Sequence, residues 1–144
     1  MEYPRNKAAK ARSGIITLLR EHGITPTQQR VEIGQILFAR DQHVSAELVL
    51  ERARQGRSMV SKATVYNTLG LFADKGLIRE VIVDPTKRFY DTNLVPHHHI
   101  YHTDTGMLED VDAEDIRMER LPDLPRGTEV EGVDVIIRVR HSDR

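Results

Sequence analysis

Over the first 75 or so residues the apolar positions recur at intervals of three and four, the spacing of helices that bury one face. Residues 8–22 predict a helix with Ile15, Leu18 and Leu19 as a partial apolar face, closed by Gly23. Thr25-Pro26-Thr27-Gln28 then supplies an N-cap, a proline at the first helical position and a capping-box glutamine. Val31, Ile33, Ile36, Leu37 and Phe38 are the core positions of the helix that follows. A third helix starts at Ser45, carries Leu48, Val49 and Leu50, and ends near Gln55-Gly56. The fourth starts at Ser61 and stops at Lys75-Gly76, with Val65, Leu69 and Phe72 on one face.

Beyond Gly76 the period changes. Residues 77–83 and 88–90 read as strands around the turn Asp84-Pro85-Thr86-Lys87, where proline suits the second turn position. Further strands are expected at 100–103 and 107–111, around Thr103-Asp104-Thr105-Gly106. A short helix is expected at 113–120 and a closing strand at 130–139, with Pro122 and Pro125 keeping the stretch between them irregular. Helices followed by a hairpin form a winged helix-turn-helix, so the expected class is α+β. The predicted organisation is a winged-helix DNA-binding domain over residues 1–93, with a basic N-terminal extension, then a small α/β domain over 94–144 that begins at the hinge Leu94-Val95-Pro96. Roughly fifty residues make a poor independent core, so the second domain is expected to dimerise.

Charge sharpens this division. Residues 1–88 hold 15 Lys/Arg against 9 Asp/Glu, and residues 89–144 hold 6 against 13, so a formal net charge of −1 conceals halves of opposite sign. The basic half is the candidate for a polyanion, although a modest positive balance is equally an ordinary solvated surface. On the fourth helix the face opposite Val65, Leu69 and Phe72 carries Ala63, Asn67 and Gly70, flanked by Lys62, Thr64 and Tyr66. Small residues permit close approach to DNA, Asn pairs with an adenine edge, and Ser, Thr, Lys and Tyr reach phosphates. The basic segment 5–12 and the wing residues Lys87 and Arg88 could follow the phosphate backbone. Apolar runs are only a few residues long, as in Val135-Ile136-Ile137, and residues 1–7 lack a signal-peptide stretch, so the expected compartment is the cytoplasm and no membrane partner is expected.

The densest chemistry is Pro96-His97-His98-His99-Ile100-Tyr101-His102, bracketed by Asp91, Asp104, Glu109 and Asp110, in a chain with no cysteine. That composition removes disulfides, thiol catalysis and thiolate metal sites, and leaves nitrogen and oxygen donors suited to Fe(II), Mn(II) or Zn(II). On a strand His97 and His99 share one face and His98 takes the other. By residue type alone His43 and His102 are ordinary surface histidines, Asp110 carries little signal, and His98 remains open between haem, a second metal and solvent.

Together these segments match a known pattern. His43-Val44-Ser45-Ala46-Glu47, the run from Ser61 to Leu69, Lys75-Gly76-Leu77-Ile78-Arg79-Glu80 and Phe89-Tyr90-Asp91-Thr92-Asn93 followed by the triple histidine resemble the ferric uptake regulator (Fur) superfamily across residues 12–140. Asp91-Thr92-Asn93, the triple histidine and the ending Val133-Asp134-Val135-Ile136-Ile137-Arg138-Val139-Arg140 resemble its iron response regulator (Irr) branch. The resemblance implies a homodimer that binds double-stranded operator DNA. A regulatory metal between the domains maps onto His43, Asp91, His97, His99 and Asp110, as in the peroxide-sensing branch. It also implies Fe(II) or Mn(II) as the ion, with Zn(II) binding in vitro, and haem through His97, His98 and His99. DNA contacts are expected from Lys10, Arg12, Arg30, Ser61, Lys62, Thr64, Tyr66 and Asn67. The first Cys-x-x-Cys pair of many relatives falls on His102 and Thr105, so no cysteine-bound structural zinc is expected. Many relatives carry arginine where Asn67 stands, which points to a different operator.

The resulting expectation is a dimeric repressor of iron and metal homeostasis genes whose DNA affinity follows Fe(II), Mn(II) or haem. One alternative is a peroxide-responsive regulator using the same site. Another is a non-haem Fe(II) enzyme with two histidines and a carboxylate, but the chain lacks the many short strands of an oxygenase barrel, so no catalytic activity is expected.

Overall fold

The computed structural model describes residues 11–143, which fall into two compact units, the first ending at Leu94 and the second starting at Val95. In the first unit, helices α1 (Arg12–Glu21), α2 (Gln28–Leu37), α3 (Ala46–Gln55) and α4 (Lys62–Asp74) surround one core, with the short strand β1 (His43–Val44) between α2 and α3. A hairpin of β2 (Arg79–Asp84) and β3 (Lys87–Asp91) follows, and the sheet order is β1-β3-β2. This is the predicted sequence of helices and hairpin, with one strand added.

The apolar periodicity accounts for the helices. Ile15, Leu18, Leu19, Val31, Ile33, Leu37, Val49, Val65, Leu69 and Phe72 are all buried in a single cluster. Leu48 and Leu50 pack only at its edge, and Ala46 and Ala53 join Val49 on the inner face of α3 instead. Emptying the centre of this cluster, as in Phe72→Ala, is expected to destabilise by about 3–5 kcal/mol. Ser45 and Ser61 cap α3 and α4 as predicted, accepting from the backbone N–H of Leu48 and Thr64 at 3.2 and 3.1 Å. The start of α2 differs from expectation. Thr27, not Thr25, is the N-cap, accepting from Arg30 N at 3.2 Å, so Pro26 precedes the helix; the Thr25 carbonyl instead accepts from the Arg30 guanidinium at 2.9 Å.

At Gly34, α2 lies close against Ile15 of α1. A Cβ there would lie 2.7 Å from Cγ2 of the fully buried Ile15. Alanine should gain up to about 1 kcal/mol in helix propensity, yet overpacking at such contacts costs about 1–3 kcal/mol. Gly34→Ala is therefore expected to lower the midpoint of urea unfolding; a raised midpoint would show that Ile15 moves aside at little cost.

In the second unit β4 (His97–His102) is central, pairing antiparallel with β5 (Leu108–Asp112) and parallel with β6 (Ile136–Val139). The triple histidine is thus part of the strand that was expected to begin at residue 100. The predicted helix at 113–120 is only a 3₁₀ turn, Ala113–Asp115, and the closing strand is four residues rather than ten. The physical reason lies in burial. No residue from 113 to 135 is fully buried, so nothing offsets the cost of nucleating a helix or extending a strand.

Candidate functional site

Among the described residues, His43 meets Asp91 in the first unit, and His97 and His99 meet Asp110 in the second. In the first, β1 pairs with β3 so that His43 stands directly opposite Asp91. His43 Nε2 lies 3.2 Å from Asp91 Oδ2, and the carboxylate is only 1% exposed. The other oxygen, Oδ1, accepts from Asn93 N at 2.8 Å, which fixes the carboxylate plane. Gln42 holds this pair in place. Its side-chain amide donates to the terminal carbonyls of α2 at Ile36 and Leu37, both at 2.8 Å, while its Oε1 accepts from Arg52 of α3. Its backbone N–H donates to Thr92 Oγ1 at 3.1 Å, so the residues preceding His43 and following Asp91 are joined. Sequence reasoning missed both β1 and Gln42. Two residues are too short to show alternation, and an isolated glutamine carries no pattern.

In the second unit, alternation along β4 puts His97 and His99 on one face, with ring centroids 4.5 Å apart. The register places Asp110 of β5 opposite His99. One oxygen, Asp110 Oδ1, faces His97 Nε2 at 3.3 Å and His99 Nε2 at 3.6 Å. The Val95 carbonyl orients the His97 ring through Nδ1, leaving Nε2 aimed at the carboxylate. Metal–nitrogen and metal–oxygen bonds of about 2.0–2.2 Å put neighbouring ligands roughly 3 Å apart, so this trio needs only small adjustments to hold an ion. His98 does something else. Its Nδ1 accepts from Val135 N at 3.1 Å, joining β4 to the segment that enters β6.

The predicted DNA-contacting residues also sort by position. Arg12 begins α1 and is exposed, whereas Lys10 lies outside the described residues. On α4, Lys62, Ala63, Tyr66 and Asn67 are exposed, while Ser61 is occupied as the cap. A groove between α2 and α4 brings Arg30, Thr64 and Asn67 together. Tyr66 shares a second depression with Pro85, Thr86 and Arg88 of the wing. Arg88 pairs with Glu80 across the hairpin at 3.1 Å, and Lys87 is exposed.

Tyr66 is held from two sides. Its hydroxyl donates to Glu47 Oε1 of α3, and Lys62 Nζ sits 5.8 Å from its ring centroid. The hydrogen bond keeps the Glu47 carboxyl below the usual carboxylate range and pushes the Tyr66 hydroxyl up. Because the folded-state pKa of Glu47 is depressed, its contribution to stability is present above the ordinary carboxylate range and is lost as pH falls through the lowered value. Tyr66→Phe is expected to return the Glu47 titration toward normal, read by carboxylate NMR, with a stability change under about 1 kcal/mol for so exposed a pair. An unshifted Glu47 titration would remove the hydroxyl as its cause.

Comparison with known proteins bears on the family. Residues 21–137 match the ferric uptake regulator family. The peroxide-responsive repressor PerR of Staphylococcus saprophyticus is 30% identical over 95 residues, covering 66% of this chain and 64% of that protein, so the match spans less than two thirds of the relative. The manganese-bound ferric uptake regulator of Pseudomonas aeruginosa superposes with a TM-score of 0.67 at 29% identity, covering 88% of this chain and 97% of that one. The iron-bound regulator of Francisella tularensis shares the fold, with a TM-score of 0.68 at 23% identity over 83% and 92% of the two chains. With a family match spanning most of its length, this chain belongs to the ferric uptake regulator family.

Proposed function

We propose that this chain is a metal-responsive transcription regulator, a dimeric repressor whose affinity for operator DNA follows Mn(II) or Fe(II). The observation that carries the reading is the pair of preformed donor clusters, His43 with Asp91 and His97 with His99 and Asp110, in a chain that also presents a polar face on α4. Neither cluster alone gives a full octahedral set. Together they supply three imidazoles and two carboxylates, a donor set suited to Fe(II) or Mn(II). An ion taking donors from both units would couple their relative arrangement to metal supply, and so bias the dimer toward or away from a DNA-competent form. The likeness to PerR and to the manganese-bound Fur supports the same reading.

The haem of the Irr reading has less support than the ion. His97, His98 and His99 are buried, and His98 is engaged by the Val135 N–H, so its use as a haem ligand would break the junction with the segment leading into β6. For the dimer, the second unit leaves Met107, Met118, Leu121, Leu124, Val130, Val133 and Ile137 substantially exposed. That apolar surface suits a second copy of the chain.

The direct test is operator binding by the purified apo protein at fixed salt, titrated separately with Mn(II), Fe(II), Zn(II) and haem. A dimer whose DNA affinity changes with Mn(II) or Fe(II) but not haem is expected; a DNA affinity indifferent to every addition would overturn the reading. In the same assay Tyr66→Ala and Asn67→Ala should each cost roughly 1–3 kcal/mol if they meet base edges. Arg12→Ala should instead weaken binding to all sequences and reduce the salt dependence. Full operator affinity in the Tyr66 and Asn67 variants would remove α4 as the reading helix.

A further inference from the structure

At the opposite end of β4 from His97, a second set of donors converges. His102 closes the strand, Asp104 lies in the turn that follows, and His141 comes two residues after β6. Each offers one ligand atom, and those atoms lie within 4.8 Å of one another. His141 Nδ1 is 2.8 Å from Asp104 Oδ2, His102 Nε2 contacts Glu109 Oε2 of β5, and the two imidazole rings are 6.0 Å apart.

The backbone brings these groups together. The turn after β4 is closed by Gly106 N donating to the His102 carbonyl at 2.8 Å and His102 N donating to the Met107 carbonyl at 2.9 Å. Gly106 takes a positive φ of 78°, which the turn requires and a side chain would strain. The end of β6 is tied to the same turn. Thr103 N and Oγ1 donate to the Val139 carbonyl at 2.9 and 3.2 Å, and His141 N donates to Asp104 Oδ2 at 3.0 Å. Donors 37 residues apart in sequence are therefore held at one corner, by the Thr103–Val139 hydrogen bonds as well as by the Asp104 carboxylate itself.

We propose that His102, Asp104 and His141, with Glu109 as fourth ligand, form a zinc site that fastens the end of β6 to the β4–β5 turn. Two imidazoles and two carboxylates are a tetrahedral donor set of the kind zinc takes, and bonds of about 2.0–2.2 Å place such ligands roughly 3.3 Å apart. The present separations need only side-chain rotation to reach that spacing. His141 is 70% exposed, Glu109 49% and Asp104 38%, so these three side chains have room to turn toward His102, which is 16% exposed. The role is structural. β6 is only four residues long, and a metal clasp just beyond it would oppose fraying of the edge strand.

The site is independent of the regulatory cluster, and the test keeps the two apart. The full chain, its His141→Ala variant and a His97→Ala/His99→Ala double variant are dialysed against Zn(II), and bound zinc is counted by plasma mass spectrometry. Hydrogen exchange at Ile136–Val139 is followed in parallel. His141→Ala should lose one equivalent of zinc relative to the unsubstituted chain, and zinc should no longer slow exchange in β6. The double variant should keep both that equivalent and the β6 protection. An unchanged zinc count in His141→Ala, or loss of the β6 protection only in the double variant, would overturn the proposal. Because the His141 side chain is 70% exposed, its truncation opens no cavity in the core.

Discussion

Replacing His97 or His99 by alanine is expected to weaken Mn(II) and Fe(II) binding by more than about 100-fold, since loss of a ligand should exceed the 10–100-fold cost typical of changes to the groups that merely support ligands. Both imidazoles address the same oxygen of Asp110, at 3.3 and 3.6 Å, so each deletion removes a donor and also leaves the carboxylate facing a gap. The two substitutions should be strongly non-additive, because the double variant removes a unit already broken by either single change. His98→Ala is the informative control. Its ring holds Val135 rather than sharing the Asp110 face, so ion affinity should persist while the packing of β6 loosens. Equilibrium dialysis reads all four variants, and unaltered affinity in the His97 and His99 chains would sink the assignment.

His43→Ala is expected to separate binding from regulation. The trio on β4 and β5 stays intact, so a metal should still bind, though more weakly. What should disappear is the effect of that metal on DNA affinity, a coupling typically worth about 5–150-fold. A ligand bound equally well by both forms of a regulator shifts nothing, however tight the binding. Asp91→Asn should act in the same direction, since it keeps the hydrogen bond from Asn93 but weakens the carboxylate as a donor. Gln42→Ala is expected to resemble a milder His43→Ala, because the amide fixes β1 against α2 without itself offering a ligand of comparable strength. The measurement is operator affinity with and without Mn(II); a His43→Ala chain that still responds fully to metal would show that regulation does not pass through this residue.

How far the sequence could be read depended on the range of the interactions involved. Val65, Leu69 and Phe72 sit on one helical face at any tertiary arrangement that buries them, and all three are fully buried. Ser45 and Ser61 act within three residues of themselves, so their caps were visible as local chemistry. Thr25 and Thr27 were not separable in the same way. Both are capping residues; Thr27 takes the role through its hydroxyl, and the Thr25 carbonyl accepts from the Arg30 side chain. The stretch 113–120 failed for a different reason: its composition allows a helix, but its apolar residues meet no core within the described chain.

By itself the sequence determined the helices of the first unit, the change to strand period after Gly76, the absence of thiolate chemistry and the shared face of His97 and His99, because each follows from composition or from spacing within a few residues. Tertiary structure decided the partners. Pairing of β1 with β3 brings His43 to Asp91 across 48 positions of chain, and the β4–β5 register selects Asp110 rather than Asp112 to face both imidazoles. The corner of His102, Asp104 and His141 exists only because β6 returns parallel to β4. A strand's alternation is written in its own residues, but which strand lies beside it is settled by burial and register over the whole sheet.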